Sequence, residues 1–181
     1  LGDVYKRQEH GSEDLWKNKV QKQICYYKNY KFTKVKLLEQ ALTHSSASKL
    51  DKPNNERLEF LGDRILGLVI ADELLRLNPK ASEGQIATYY NSLVKKETCS
   101  RIALDMNLEN ALNLGKSVSN NNERIKIKML GDAIEALIGA IYLDKGFEVS
   151  KSFILKLWKN LINNAETTFI DAKTQLQELS L

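Results

Sequence analysis

The chain of 181 residues contains only two cysteines, two histidines and two prolines. Cys25 and Cys99 are too few for a disulfide framework and lack the paired spacing of a zinc site, so we interpret both as reduced thiols. His10 and His44 leave almost no material for zinc chemistry or for a serine or cysteine triad. Any catalytic chemistry must therefore rest on other residue types.

The chain also lacks an apolar run of about eighteen residues, and residues 1–20 are polar and mixed in charge. We therefore expect no membrane span, no membrane partner and no secretory signal, which predicts a cytoplasmic protein. Because the first Met is Met106 and the chain ends at Leu181 inside a helical pattern, we treat it as a fragment. The hydrophobic content of 43% and the charged content of 28% exclude disordered and collagen-like classes.

Only Pro53 and Pro79 interrupt the chain, and apolar residues recur at helical spacing without sustained alternation. This pattern predicts an all-α fold. The sequence between Ser82 and Gln85 has the spacing of a capping box, which marks the start of one helix. The predicted helices span residues 16–27, 35–43, 55–76, 82–96, 96–106, 127–143 and 149–162.

Three carboxylates share one face at the start of the helix predicted over 55–76. At about 100° per residue, Glu56, Glu59 and Asp63 fall within about 60° of one another. Apolar residues continue the same face, so the acidic stripe runs into the core. The alternative is that these acids serve as helix-capping residues or pair with nearby cations such as Arg57 and Arg64.

A second pair of carboxylates, Asp132 and Glu135, lies one turn apart inside the apolar run 129–141. Buried carboxylates persist by protonation, by pairing with cations or by binding metal. The run contains no Lys or Arg, and Lys128 just before it is the partner in the ion-pair alternative. Glycines in both acidic helices would let the helices approach closely and bring the two sets of acids together.

Such an all-oxygen cluster suits Mg²⁺ or Mn²⁺, and two ions would form the arrangement of two-metal nucleases and polymerases. A di-iron carboxylate bundle requires Glu-x-x-His pairs, and the sequence has none. Glu83 follows Ser82 in a predicted first turn, where a favourable interaction with the helix dipole explains it as well as an active-site role does.

Basic residues gather just before the second acidic helix, and they predict contacts with phosphate groups. A solvated helix face is the alternative interpretation. The residues are Lys116, Arg124, Lys126 and Lys128.

The segment from Asn55 to Asp63, NERLEFLGD, closely resembles the nine-residue hallmark of the ribonuclease III family. Three further segments support the resemblance in order: ALTHSS at 41–46, Glu-Gly at 83–84 and GDAIEALIGA at 131–140. Residues 171–178 also resemble the opening of the double-stranded-RNA-binding domain that follows the catalytic domain in bacterial members.

The resemblance implies a homodimeric, all-helical endonuclease domain. It implies Mg²⁺-dependent cleavage of double-stranded RNA to 5′-phosphate and 3′-hydroxyl ends, with Mn²⁺ as a substitute ion and no nucleotide cofactor. The expected role is the processing of ribosomal and other structured RNA. The predicted parts are an N-terminal extension at 1–15, the endonuclease domain at 16–162, a linker at 163–170 and the incomplete RNA-binding domain at 171–181.

Motif matching also assigns residue roles. The implied metal ligands are Glu59, Asp63, Asp132 and Glu135, and the implied catalytic residues are Asp63, Glu135, Glu56 and Glu83. Lys173, in the segment that resembles an RNA-binding domain, joins the predicted RNA contacts. Phe60 is expected at the dimer interface.

Two departures from the family pattern are visible. Arg64 stands where the family usually has a small residue, and it could pair with an acid or touch phosphate. Tyr89, Tyr90 and Asn91 lie where basic residues are common, which weakens the expected RNA contact there. A competing hypothesis is a non-catalytic module for RNA binding or dimerisation, and the complete set of acids argues against it.

Overall fold

A computed structural model describes residues 31–47, 53–115 and 122–178, with the backbone alone for 165–178. The predicted N-terminal extension and the helix at 16–27 lie outside the described residues. Within them, the all-α prediction is confirmed, because the regular elements are helices and no strand occurs. The α-helices are α1 (Val35–Ala41), α2 (Glu56–Leu77), α3 (Glu83–Val94), α4 (Lys96–Asp105), α5 (Glu123–Lys145) and α6 (Phe147–Glu178). Short 3₁₀ turns occur at Ser45–Ala47 and Leu108–Asn110.

Helix α5 is the central element, and α1, α2, α4 and α6 pack around it. Every residue from Met129 to Ile141 is buried, as expected for a helix that is apolar on nearly all sides. Trp158 of α6 is also fully buried, and its indole Nε1 donates a hydrogen bond of 2.9 Å to the carbonyl oxygen of Leu93.

No helix among the described residues is both long enough and apolar enough to span a membrane.

Two glycines permit a close crossing of α2 and α5. A Cβ atom added to Gly62 would lie 1.7 Å from the carbonyl oxygen of Glu135. A Cβ atom added to Gly139 would lie 2.3 Å from the carbonyl oxygen of Leu58. The backbones are therefore in direct contact, and the expected approach of the two acidic helices is observed.

The helix starts follow local capping chemistry. The Ser82 hydroxyl accepts a hydrogen bond from the Gln85 backbone, and the Gln85 side chain accepts one from the Ser82 backbone, so the predicted capping box is present. Helix α5 begins earlier than the predicted residue 127 because the side chain of Asn122 caps it. It ends before Gly146, which has a φ of 82°.

The last helix does not end at residue 162 as expected. It continues to Glu178, so the predicted linker at 163–170 has helical backbone. Its polar composition does not interrupt the helix, because the sequence from 147 to 178 contains neither Gly nor Pro. The division into an endonuclease domain and an RNA-binding domain stays a prediction.

Candidate metal centre

Three of the predicted acids meet at the crossing of α2 and α5. One carboxylate oxygen from each of Glu59, Asp132 and Glu135 lies within 4.8 Å of the other two. Asp132 and Glu135 are buried, whereas Glu59 is half-buried. The cluster opens into a cleft of about 410 Å³, lined by Glu56, Glu59, Phe60, Asp63, Val94, Lys96 and Glu135.

Asp63 lies in the same cleft but outside the group of three. Its carboxylate forms an ion pair with Arg64, which is its neighbour in the chain. The guanidinium of Arg64 also lies over the Phe60 ring, 5.2 Å from its centroid. The pairing of Arg64 with an acid, one of its two expected roles, is therefore observed.

The remaining two acids are exposed. Glu56 begins α2 and lines the cleft. Glu83 is the first residue of α3 and is not among the described residues that line the cleft. Its position after the N-cap residue Ser82 fits a favourable interaction with the helix dipole. A catalytic role for Glu83 stays a prediction.

Sequence reasoning missed Lys96, whose ammonium group lies among the three clustered carboxylates. Its Nζ atom is 2.5 Å from Oδ1 of Asp132, 2.8 Å from Oε2 of Glu135 and 3.3 Å from Oε1 of Glu59. One signal could have drawn attention to it. A lysine in the first turn of a helix opposes the helix dipole and calls for another source of stabilisation.

Lys128 also contacts the cluster, with its Nζ atom 2.8 Å from Oδ2 of Asp132. The ion-pair alternative considered for Asp132 is thus realised one turn away on α5. Two cations therefore bind this one buried carboxylate, although the apolar run that contains it has no basic residue of its own.

The environment shifts the titration of the clustered acids in different directions. Burial raises the pKa of Glu135 to about 7, and the nearby charges of Asp63 and Glu59 add to this effect against the opposing Lys96. Burial and the charge of Asp132 likewise raise the pKa of Glu59. Burial acts in the same sense on Asp132, but the ammonium groups of Lys128 and Lys96 outweigh it and lower the pKa of Asp132.

The donor set fits a hard divalent cation. All the side-chain donors are carboxylate oxygens from two rigid helices, the ligand type that Mg²⁺ and Mn²⁺ prefer. Oδ1 of Asp132 is buried and accepts no hydrogen bond of good geometry, although the Lys96 ammonium lies beside it. Three carboxylates with such an oxygen among them can accept more positive charge than the ammonium groups of Lys96 and Lys128 supply.

The predicted RNA contacts are only partly described. Lys116 lies outside the described residues, and the side chain of Lys173 is in the segment described by its backbone alone. Of the others, Arg124 is exposed in the first turn of α5, and Lys126 forms an ion pair of 2.7 Å with Glu109. Their contact with RNA stays a prediction.

The tyrosines that replace expected basic residues have a packing role. Tyr89 and Tyr90 on α3 are partly buried and pack against the core. A Cβ atom added to Gly67 of α2 would lie 2.6 Å from the hydroxyl oxygen of Tyr90. At this departure from the family pattern, α3 packs closely on α2.

Comparison with known proteins gives consistent matches. The ribonuclease-III-like family model matches residues 34–161. Ribonuclease 3 of Dinoroseobacter shibae is 47% identical over 163 residues, which cover 88% of this chain and 71% of that protein. Ribonuclease 3 of Rhodobacter capsulatus is 48% identical over 149 residues, which cover 82% of this chain and 65% of that protein. The chain thus spans about two thirds of the length of these relatives.

Solved structures with a similar fold agree with these sequence matches. The nuclease domain of ribonuclease III from Campylobacter jejuni superposes with a TM-score of 0.70 at 38% identity, covering 76% of this chain and 95% of that domain. In that protein, structural flexibility is described in a region involved in dimer formation. Dicer from Pichia stipitis, with a TM-score of 0.56 at 23% identity, shares the fold.

Proposed function

The chain belongs to the ribonuclease III family, and we propose that it is the nuclease domain of an endoribonuclease that cleaves double-stranded RNA. One observation carries the proposal: carboxylates from α2 and α5 converge beside an open cleft, which Glu59 and Glu135 line. Both helices contain the segments that resemble the family motifs, so the chemistry and the family membership point to the same place.

In this proposal Glu59, Asp132 and Glu135 would hold Mg²⁺ or Mn²⁺, and Asp63 would supply a further carboxylate from the wall of the cleft. Divalent ions held there would activate water and stabilise the charge that develops on the phosphate, and we propose a two-ion arrangement. The chain contributes rigid positioning, since Asp132 and Glu135 are buried on the central helix. Hydrolysis then leaves 5′-phosphate and 3′-hydroxyl ends.

We further propose that the domain acts as a homodimer. Phe60, Leu68 and Leu75 are spaced to share one face of α2, and they are 67%, 59% and 59% exposed. Large apolar side chains aligned on one face are typical of protein interfaces. The face adjoins the cleft through Phe60, so dimerisation would bring two clefts near one duplex.

The proposed substrate is recognised by shape. A-form RNA hides the base edges of its major groove, so a cleft of this kind would read phosphates and 2′-hydroxyls. Ribosomal and other structured RNA in the cytoplasm are the proposed substrates.

A non-catalytic module of the same fold is the competing proposal. One observation favours it: the Lys96 ammonium already contacts all three clustered carboxylates. Binding of duplex RNA without metal-dependent cleavage would support this module.

The test is the cleavage of an end-labelled RNA duplex at low salt by the 181-residue chain, with Mg²⁺ and with a chelator. We expect cleavage that needs Mg²⁺ and that Glu135→Gln abolishes. Glu148→Gln is the matched control, because Glu148 is exposed on α6 and does not line the cleft. Duplex that is retarded on a gel but stays uncut in Mg²⁺ and in Mn²⁺ would overturn the proposed activity.

A further inference from the structure

The position of Lys96 relative to the clustered carboxylates carries an inference that rests on the proposed metal centre. We propose that the Lys96 ammonium is a tethered counter-ion of this centre, which holds the three carboxylates together until a divalent ion displaces it. Metal binding by this chain is then an exchange of one cation for another.

The first support is the place that the ammonium occupies. Its Nζ atom contacts an oxygen of each of the three carboxylates, at 2.5, 2.8 and 3.3 Å. A metal ion that bridged those carboxylates would compete with the ammonium for the same oxygens. The two positive charges would also repel each other at short range. The two cations therefore cannot share the cluster.

The second support is a space on α5 that accommodates the lysine stem. A Cβ atom added to Gly131 would lie 2.5 Å from Cδ and 3.0 Å from Cγ of Lys96. Gly131 thus leaves room for the aliphatic stem to lie across α5, beside Asp132 and Glu135. The packing of the stem directs the ammonium to the acids.

The third support is the position of Lys96 on its own helix. It is the first residue of α4, where the helix dipole disfavours a positive charge. Its neighbour Lys95 is exposed, whereas Lys96 is half-buried and points at the carboxylates. The carboxylates stabilise the Lys96 ammonium against the unfavourable helix dipole, and the ammonium in turn neutralises part of their charge.

An exit for the displaced side chain is present. Lys96 itself lines the cleft of about 410 Å³, and its side chain is 33% exposed. Because the Lys96 side chain is a flexible four-carbon stem, its ammonium can move into the cleft without a change in the backbone.

The experiment is calorimetric titration of MnCl₂ into the metal-free 181-residue chain, its Lys96→Met variant and a Lys95→Met control. The Met side chain keeps the length of the stem and removes the charge, and the control makes the same charge change at the neighbouring exposed position. We expect Lys96→Met to bind Mn²⁺ about tenfold more tightly than the parent, since a competing cation has gone. Lys95→Met should bind within about twofold of the parent.

Thermal melting supplies a second readout. Without metal, Lys96→Met should melt about 2–4 °C below Lys95→Met, because three carboxylates then lie together with less neutralisation. Saturating Mn²⁺ should remove that difference. Equal or weaker Mn²⁺ binding by Lys96→Met would overturn the inference and leave the proposed metal centre standing.

Failure of the proposed function looks different. If neither the parent nor Lys96→Met binds Mn²⁺, the metal centre and the exchange both fall. If Lys96→Met does not fold, Lys96→Gln replaces it, and the parent labelled with ¹³Cε-lysine is titrated with Mg²⁺. One lysine signal, missing from Lys96→Gln, should shift on binding; a metal-saturated parent in which that signal stays in place would overturn the exchange.

Discussion

The two acidic helices contain the same type of side chain in different surroundings. On α5, Asp132 and Glu135 are 2% and 3% exposed, because the central helix is covered on every side. On α2, the acids lie in the first two turns, where Glu59 is half-buried and Glu56 is exposed. Burial shifts the pKa values of the α5 carboxylates, and nearby ammonium groups stabilise their charged forms. The start of α2, by contrast, leaves the site open to solvent. The site therefore has a rigid buried wall, formed by Asp132 and Glu135 of α5, and an open wall, formed by the acids at the start of α2.

Separating the two helices should have the largest effect. Gly62→Ala forces a methyl group into the carbonyl oxygen of Glu135, so we expect a loss of at least about 3 kcal/mol in the free energy of unfolding, measured by urea denaturation. Gly84→Ala is the matched control, since nothing lies within 4 Å of its added Cβ. That control should gain up to about 1 kcal/mol from helix propensity. Equal stability of the two variants would contradict the close crossing.

The buried and the open wall can be compared directly by isosteric substitution. Glu135→Gln should reduce Mg²⁺-dependent cleavage of duplex RNA by at least about 100-fold, because it removes a buried metal ligand. Glu56→Gln should reduce it by about tenfold or less, because this residue is exposed at the edge of the cleft. Single-turnover rates measure both, and circular dichroism checks the folding of each variant. A larger loss in Glu56→Gln would invert the comparison.

The raised pKa of Glu135, about 7, gives the buried wall a pH dependence. Below pH 7 a proton competes with metal, so Mn²⁺ affinity measured by calorimetry should fall by up to about tenfold per pH unit. In the metal-free chain the folding stability depends on pH in the opposite sense. A carboxyl whose pKa is raised on folding contributes stability at low pH and loses it as pH rises through the folded pKa. The parent should therefore lose stability relative to Glu135→Gln between pH 5 and pH 8, as measured by urea denaturation.

The smallest effect is expected on the open wall at Arg64. Its side chain is 68% exposed, and its ion pair with Asp63 is screened by solvent. Arg64→Ser should change the free energy of unfolding by no more than about 0.5 kcal/mol and the cleavage rate by a few-fold at most. A large loss of cleavage with unchanged stability would instead place Arg64 in contact with the RNA.

The helical class and the two acidic helices could be predicted from the sequence, because they depend on spacing within one segment, and the family could be predicted from the resemblance of several segments to the family motifs. A period of 3.6 residues places Glu59 and Asp63 on one face, whatever the helix packs against. The capping box at Ser82 is equally local, and the structure confirms it.

Which of these acids meet depends on how the helices pack. Glu59 joins Asp132 and Glu135, while Asp63 lies outside the group, because the backbone contact at Gly62 and Gly139 sets the crossing of α2 and α5. Lys96 enters the cluster from a third helix, at a sequence separation of 39 residues from Glu135. No spacing rule connects segments so far apart, since their contact depends on how the helices pack in three dimensions.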